Sequence, residues 1–387
     1  MKLLFITSTP PIPSWGGAMA FYRHLCERDD FQISVVTDNP QILSYSVPYE
    51  YTLINHGHIW KRLACSRFGK VAHSWSHLVG CSDIPAQIIE QAQTFGPDAI
   101  LTVAGSWSWT AKLAGDVAGK LKLPLVGSFN DWWYYNTIRY PWLDPLLEQN
   151  FKRFYRQCDL ALCTSEGMRD ALGSHPNAVV LYPTGASMPA EVPPIQQYPN
   201  PIFTVAFGGN LGDWYGRMLE ALVTRATGQP IAFKFFGSNP SWSSAFDTRV
   251  RDAGIYQGQV SFEQLRQEMQ QVDALLLLMG FEQTCAQIER TSFKTKFLDY
   301  LSFRKPILLW GPDYCSAVGI AQEFDSAEIC TSPRAEDFLA TIERLQNRAQ
   351  RQEVLLTNAQ KMYEERFHPD KIHQIFVTQM KQLIAQP

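Results

Sequence analysis

The sequence predicts an α/β protein of two domains, each a parallel sheet with helices on both faces. Three observations lead there. Short apolar runs recur along the 387 residues, helix-length segments separate most of them, and a proline-dense stretch divides the pattern in two. Strands that are apolar throughout must be covered on both sides, and the intervening helices supply the cover. The length suits two domains of roughly 150 to 200 residues each.

The first strand is expected at Lys2 to Ser8. Its apolar run stops at Thr7 and prolines follow at Pro10, Pro11 and Pro13, so it reads as a strand rather than a signal segment. The loop TPPIPSWGG then opens a helix from about Ala18 to Arg28. Gly16 and Gly17 either let the backbone approach a ligand, as phosphate-cradling turns do, or simply close a tight turn; no GxGxxG is present. Further strands are expected at Ile33–Thr37, Tyr51–Ile54, Ala99–Ala104, Leu125–Phe129, Leu160–Thr164 and Val179–Tyr182. His73 and His77 stand four apart and would share a helix face as metal ligands, but no third ligand accompanies them.

Pro183 to Pro201, PTGASMPAEVPPIQQYPNP, reads as an interdomain linker. Domains at 1–183 and 202–366 follow, with 184–201 as linker and 367–387 as a terminal helix. Strands of the second sheet are expected at Phe203–Phe207, Ala232–Phe236, Val260–Phe262, Ala274–Met279, Ile307–Trp310 and Glu328–Cys330. The first of them runs into FGGNLGDWYGR and a helix from about Met218 to Arg225. Glu336 to Gln386 is helical with a break near Pro369, and Ile372, Ile375, Phe376, Met380 and Leu383 give the last helix a docking face.

Composition narrows the function. A net charge of −3 gives no global reason to expect nucleic acid as a partner. No apolar run approaches the roughly 18 residues of a spanning helix, so any membrane contact is peripheral. Eight cysteines without a CxxC point to reduced thiols and a cytoplasmic setting. The sequence contains no GxSxG elbow, P-loop lysine motif, HExxH or DxD pair.

In open parallel sheets ligands bind beyond the carboxyl ends of the strands, so the loops there hold the candidates. Asn130 and Asp131 follow a strand directly; Asp131 either takes a proton or holds a hydroxyl, or caps a turn. Trp132, Trp133 and Trp142 crowd the same loop with three tyrosines, suited to stacking on sugar, sitting at a lipid interface or packing the loop itself. Gly209 and Asn210 permit close backbone approach, and Arg217 either neutralises a diphosphate or stands solvated. Glu282 and Glu289 either bind sugar hydroxyls or are solvated. In RTSFKTKFLDYLSFRKPILLWGP, Ser292 is a candidate N-cap, and Ser292, Lys296 and Asp299 share one stripe of the helix that follows. That helix is a phosphate clamp at its N-terminus or an ordinary amphipathic helix with solvated charges.

Together these segments resemble the nucleotide-sugar glycosyltransferases of GT-B fold, in particular the bacterial retaining group. The resemblance rests on PPIPSWGG, TSEGMRDAL, YPTGASMP, GGNLGDW, and the spacing from QGQVSFEQLRQEM through DALLLLM to SFKTKFLDYLSFRKPILLWGP. It implies two Rossmann-like domains facing across a cleft, with the last helix crossing back to the N-terminal domain. The C-terminal domain would bind the nucleotide, with Asp299 on the ribose and Ser292, Lys296, Arg217, Gly209 and Asn210 around the diphosphate. Gly16, Gly17, Glu289 and Thr291 would meet the donor sugar, and Asn130 and Asp131 the acceptor side. The family's two glutamates, separated by seven residues, fall here on Thr291 and Asp299.

The resemblance implies sugar transfer to a hydroxyl of a glycan or lipid-linked acceptor in polysaccharide biosynthesis. It implies no metal and no cofactor beyond the nucleotide-sugar co-substrate. Peripheral contact with the inner face of a membrane would run through Trp132, Trp133 and Trp142. The substitution at Thr291 motivates a second expectation, a non-catalytic subunit or glycan-binding scaffold; a sugar-nucleotide epimerase of the same fold is a third.

Overall fold

The computed structural model describes residues 1–14, 16–54, 62–63, 65–72, 74, 84–104, 108–132, 140–188 and 202–385. His73, His77 and Trp133 lie outside these residues, as does most of the proline-rich stretch. The chain divides into two compact units. The first comprises Met1–Thr184, Arg290–Phe293 and Asp370–Pro387, the second Gly185–Glu289 and Lys294–Pro369.

The first unit carries β1 (Lys2–Ile6), α1 (Gly17–Leu25), β2 (Gln32–Thr37), β3 (Glu50–Leu53), α2 (Ala86–Phe95), β4 (Ala99–Val103) and α3 (Ser108–Leu121). It continues through β5 (Leu125–Phe129), α4 (Asp144–Gln157), β6 (Leu160–Cys163), α5 (Glu166–Leu172) and β7 (Ala178–Val180). Its strands form one seven-stranded parallel sheet in the order β3-β2-β1-β4-β5-β6-β7. β4 and β5 are buried at every position, as a sheet covered on both faces requires.

The second unit carries β8 (Phe203–Gly208), α6 (Asp213–Arg225), β9 (Ile231–Phe236), α7 (Ser244–Asp252), α8 (Phe262–Gln270), β10 (Ala274–Leu278) and α9 (Ala286–Thr291), whose last two residues belong to the first unit. It continues with α10 (Thr295–Leu301), β11 (Ile307–Trp310), α11 (Ser316–Phe324), β12 (Glu328–Cys330), α12 (Ala335–Gln346) and α13 (Ala349–Met362). Its sheet is parallel, in the order β12-β11-β10-β8-β9. Trp310 of β11 lies flat on Phe338 of α12, with ring centroids 4.8 Å apart and planes at 4°.

Two expected elements differ from the structure. Val260–Phe262 is not a strand: Ser261 and Gln264 form a reciprocal capping box that starts α8 at Phe262. The helix after β8 begins at Asp213 rather than Met218, because Asp213-Trp214-Tyr215 joins its first turn and Trp214 is buried.

The final helix α14 (Pro369–Ile384) packs in the first unit. Its Phe376, Val377, Met380 and Leu383 join the cluster around Leu3, Phe5, Val35 and Leu101. Among the described residues no helix is long and apolar enough to cross a membrane. Met380 is fully buried in that cluster, so Met380→Ala is expected to cost about 2 to 5 kcal/mol by transfer and cavity terms, read as a lower urea midpoint at unchanged slope.

Candidate functional site

In the second sheet the chain leaves β8 for β9 on one side and returns on the other side as β10. The switch point therefore lies between β8 and β10, where an open parallel sheet leaves a crevice beyond its strand ends. Gly208 ends β8 and is followed by Gly209; Gly280 follows β10 by two residues. The Gly208 N–H donates to the Tyr300 hydroxyl at 3.0 Å, so α10 props the end of β8 from below.

Gly209 has φ +133, and a Cβ there would stand 2.5 Å from Lys296 Nζ. Across the next turn a Cβ on Gly237, φ +144, would meet the Gly209 carbonyl oxygen at 1.7 Å. Both positions require glycine, and their closeness lets backbone and ammonium share one rim. Lys296 Nζ sits 3.9 Å from the centroid of the Phe207 ring and 5.8 Å from that of Tyr215. Part of the Lys296 chain reaches solvent, but its ammonium is packed among these groups, and those immediate surroundings govern its charge. Burial, and then the charge of Lys294, push its pKa down to about 7. Among the described residues no carboxylate pairs with it within 4.0 Å.

Lys294 is the second cation. Its Nζ lies 2.8 Å from Glu289 Oε2 and 5.9 Å from the Tyr215 ring centroid. Burial alone would lower its pKa, but the Glu289 carboxylate and Tyr215 outweigh that and hold it above the ordinary lysine value. Glu289 is fully buried on α9, and its Oε1 accepts the Gly280 N–H at 3.0 Å. Both carboxylate oxygens are thus engaged inside the protein, one on the end of β10 and one on Lys294. Glu289 serves Lys294, and neither of its oxygens is paired with Lys296.

Asp299 stands three residues beyond Lys296 on α10, on the same face, and its Oδ1 accepts the Ala186 N–H at 3.0 Å. Arg217, on α6, pairs with Glu282 at 2.5 Å, each about half exposed. Asn210 turns inward on its own loop and accepts the Gly212 N–H at 3.2 Å.

The structure corrects the role of Ser292. α9 runs to Thr291, α10 starts at Thr295, and Lys294 occupies the N-cap, so Ser292 lies between two helices and off the Lys296–Asp299 stripe. α10 has only two turns. Lysine charge, rather than the mouth of a long helix, makes this crevice positive. Ser292 belongs instead to the first unit, where its buried Oγ donates to Asp131 Oδ1 at 2.7 Å. Thr291 is also buried there, and its carbonyl accepts the Ser165 hydroxyl at 2.5 Å. Asp131 is exposed, and its neighbour Asn130 accepts the Ser128 hydroxyl at 3.2 Å. Gly16 precedes α1 with φ +61 and open space around it, with Gly17 as the first helical residue. Trp132 is buried against Phe151, whereas Trp142 is 74% exposed and stacks on Tyr140 at 6.0 Å.

No family model matches the sequence, and no curated protein matches it either. Solved structures do. HepE of Anabaena in complex with UDP-glucose superposes with a TM-score of 0.69 at 13% identity, over 99% of this chain and 100% of that one. Sucrose-phosphate synthase from Thermosynechococcus elongatus gives 0.66 at 12% identity, over 100% and 99%. The lipopolysaccharide outer core galactosyltransferase WaaB, in its apo form, gives 0.60 at 15% identity, over 99% of both chains. The fold is GT-B.

Within this GT-B chain, Lys294, Tyr215, Tyr300 and Gly280 complete the crevice, and sequence reasoning missed them. One signal was present: Lys294-Thr295-Lys296 offers two cations, but taking Ser292 as the cap turned Lys294 off the functional stripe. The contact of Tyr215 with both lysines joins residues about 80 positions apart, and no local pattern encodes it.

Two outcomes follow. Glu289→Gln keeps the acceptor for Gly280 N–H but leaves Lys294 without its counter-charge, at an expected cost of about 3 to 5 kcal/mol in chemical denaturation. A titration of carbon-13-methylated lysines should place the Lys296 midpoint near 7, so its amine is charged below that pH and neutral above it.

Proposed function

We propose that the chain transfers a glycosyl group from a nucleotide-sugar donor, held in the crevice between β8 and β10, to a hydroxyl of a glycan or lipid-linked acceptor. The observation that carries this is the Lys296 ammonium beneath Gly209, with Lys294 beside it and the Glu289 carboxylate taken by Lys294. A diphosphate leaving group gains negative charge as the sugar departs, and preplaced cations in a desolvated site stabilise that charge most at the transition state. Lys296 would meet the diphosphate, the glycine rim would bring backbone N–H groups up to it, and Asp299 would face the ribose. The HepE complexes hold UDP and UDP-glucose, which carry such a diphosphate, and this favours a uridine nucleotide here. On this reading the lysines take the charge-neutralising role and the reaction proceeds without a metal ion.

The acceptor side is assigned to the first unit. Asp131, oriented by the Ser292 hydroxyl, is the polar group for an acceptor hydroxyl there. The stacked Tyr140 and exposed Trp142 fit a sugar ring or the interface of a lipid-linked acceptor.

Calorimetric titration with UDP, GDP, ADP and their sugars tests the donor site. One nucleotide diphosphate is expected to bind, with Lys296→Ala weakening it by tenfold or more, which is about 1.4 kcal/mol or above. No binding to any of them, or equal binding by the variant, would overturn the assignment. Affinity of the wild type should also fall as pH rises through about 7, because Lys296 loses its proton there. Mass spectrometry after incubation with UDP-N-acetylglucosamine alone separates transfer from epimerisation, since a fold-sharing structure is named for a UDP-N-acetylglucosamine 2-epimerase. For the acceptor side, Trp142→Ala is expected to reduce co-sedimentation with lipid vesicles; sedimentation equal to wild type would remove that residue from the contact.

A further inference from the structure

Away from the crevice, the first unit contains a line of four polar side chains that the proposed reaction does not use. Asp30 Oδ2 lies 2.9 Å from His373 Nε2, His373 Nδ1 lies 3.3 Å from His24 Nδ1, and His24 Nε2 lies 2.6 Å from Thr184 Oγ1. His24, His373 and Thr184 are buried, while the Asp30 side chain is 41% exposed. The line therefore has one wet end and one dry end.

With Asp30 ionised and both rings neutral, only one placement of protons satisfies all three contacts. The carboxylate requires N–H at His373 Nε2, which leaves His373 Nδ1 bare. That atom must accept from His24 Nδ1–H, which leaves His24 Nε2 bare to accept the Thr184 hydroxyl. One further proton can enter only with a rearrangement of the whole line, and it places a full charge among buried groups. Protonated His373 would set its Nδ1–H against His24 Nδ1–H, unless His24 moves its own proton to Nε2 and reverses the bond to Thr184.

The line also sits where the chain leaves the first unit. Thr184 is the last residue before the passage to Gly185, and its carbonyl accepts a bond from Arg23 at 2.8 Å. Asp370 is the first residue after the passage from Pro369, and it pairs with Arg28 at 2.6 Å, one turn before His373 on α14. Both passages are thus fastened to the end of α1 and the turn after it. We propose that Asp30, His373, His24 and Thr184 form a proton-operated clasp on these two passages, closed while both rings are neutral and released by the entry of one proton from the Asp30 end.

The surroundings favour the closed, neutral form. Arg23 and Arg28 lie on the α1 side, Lys381 reaches toward Asp30 from α14, and the amino terminus donates to the Asp30 carbonyl at 3.0 Å. Asp30 and Asp370 oppose them. Burial, then His373 and the two arginines, push the His24 pKa down. Burial also lowers that of His373, against the pull of Asp30. A histidine kept neutral in the clasp but titrating at an ordinary 6.5 when released contributes stability above that pH and loses it as pH falls below it. From pH 7 to pH 5 the released population then rises roughly 20-fold to 30-fold per histidine.

The full-length chain with labelled histidine tests this, independently of any ligand in the second unit. At pH 7, long-range proton–nitrogen spectra should show His24 protonated at Nδ1 and His373 at Nε2. Asp30→Asn, a change at the solvent end, removes the charge that fixes N–H at His373 Nε2, since an amide can accept or donate there, and should leave a mixture of tautomers while the fold is kept. Hydrogen exchange, corrected for intrinsic rates, should quicken in α14 between pH 7 and pH 5 by the factor above relative to β1 and β4. The opposite tautomers, rings titrating near 6.5 in the folded protein, or α14 exchange that merely tracks those strands would each overturn the clasp.

Discussion

A parallel strand buried on both faces can show polar groups only at its ends, and this constraint arranges the rest of the molecule. β10 is Ala-Leu-Leu-Leu-Leu and β11 Ile-Leu-Leu-Trp, buried throughout, so neither offers a side chain to a ligand along its length. Their chemistry is displaced to the residues just beyond, where backbone N–H groups run out of ladder partners. The Gly280 N–H is one of these, and Glu289 accepts it. Having been buried for that purpose, the carboxylate needs a cation, which Lys294 supplies. The crevice's second lysine is buried at its ammonium and stands beside that paired one, so its proton is held weakly.

The glycines follow from the same crowding. Three chain segments converge at the ends of β8 and β9, and the backbones at Gly209 and Gly237 are too close for either to carry a Cβ. That closeness is what would allow a phosphate to touch backbone and ammonium together. Glu289 is fully buried, with its carboxylate held by Gly280 and Lys294. Its burial shifts the candidate contacts toward Lys294, Tyr215 and the exposed rim.

Much of this was legible in the sequence. Apolar runs such as Ala99–Val103 and Leu125–Phe129 announce buried strands by composition alone, and their spacing announces the crossover helices. Lys296 and Asp299 were legible as one helix face because a period of 3.6 survives small errors in where the helix begins. Ser292 was not, since moving the N-cap two residues on, to Lys294, leaves it outside the helix altogether. Val260–Phe262 misled because three residues with two apolar side chains suit a strand until the Ser261–Gln264 box decides otherwise.

The sequence by itself determined the class of fold, the glycine rim and the cation on α10, because each depends on local composition or short-range periodicity. Only the tertiary structure decided which charges are spent. Glu289 is taken by Gly280 and Lys294, Arg217 by Glu282, and Ser292 by Asp131 161 positions away. The His24–His373 line joins residues 349 apart and appears only when α14 docks beside α1. Pairings of this kind depend on distance in space, which a sequence read along its length does not contain.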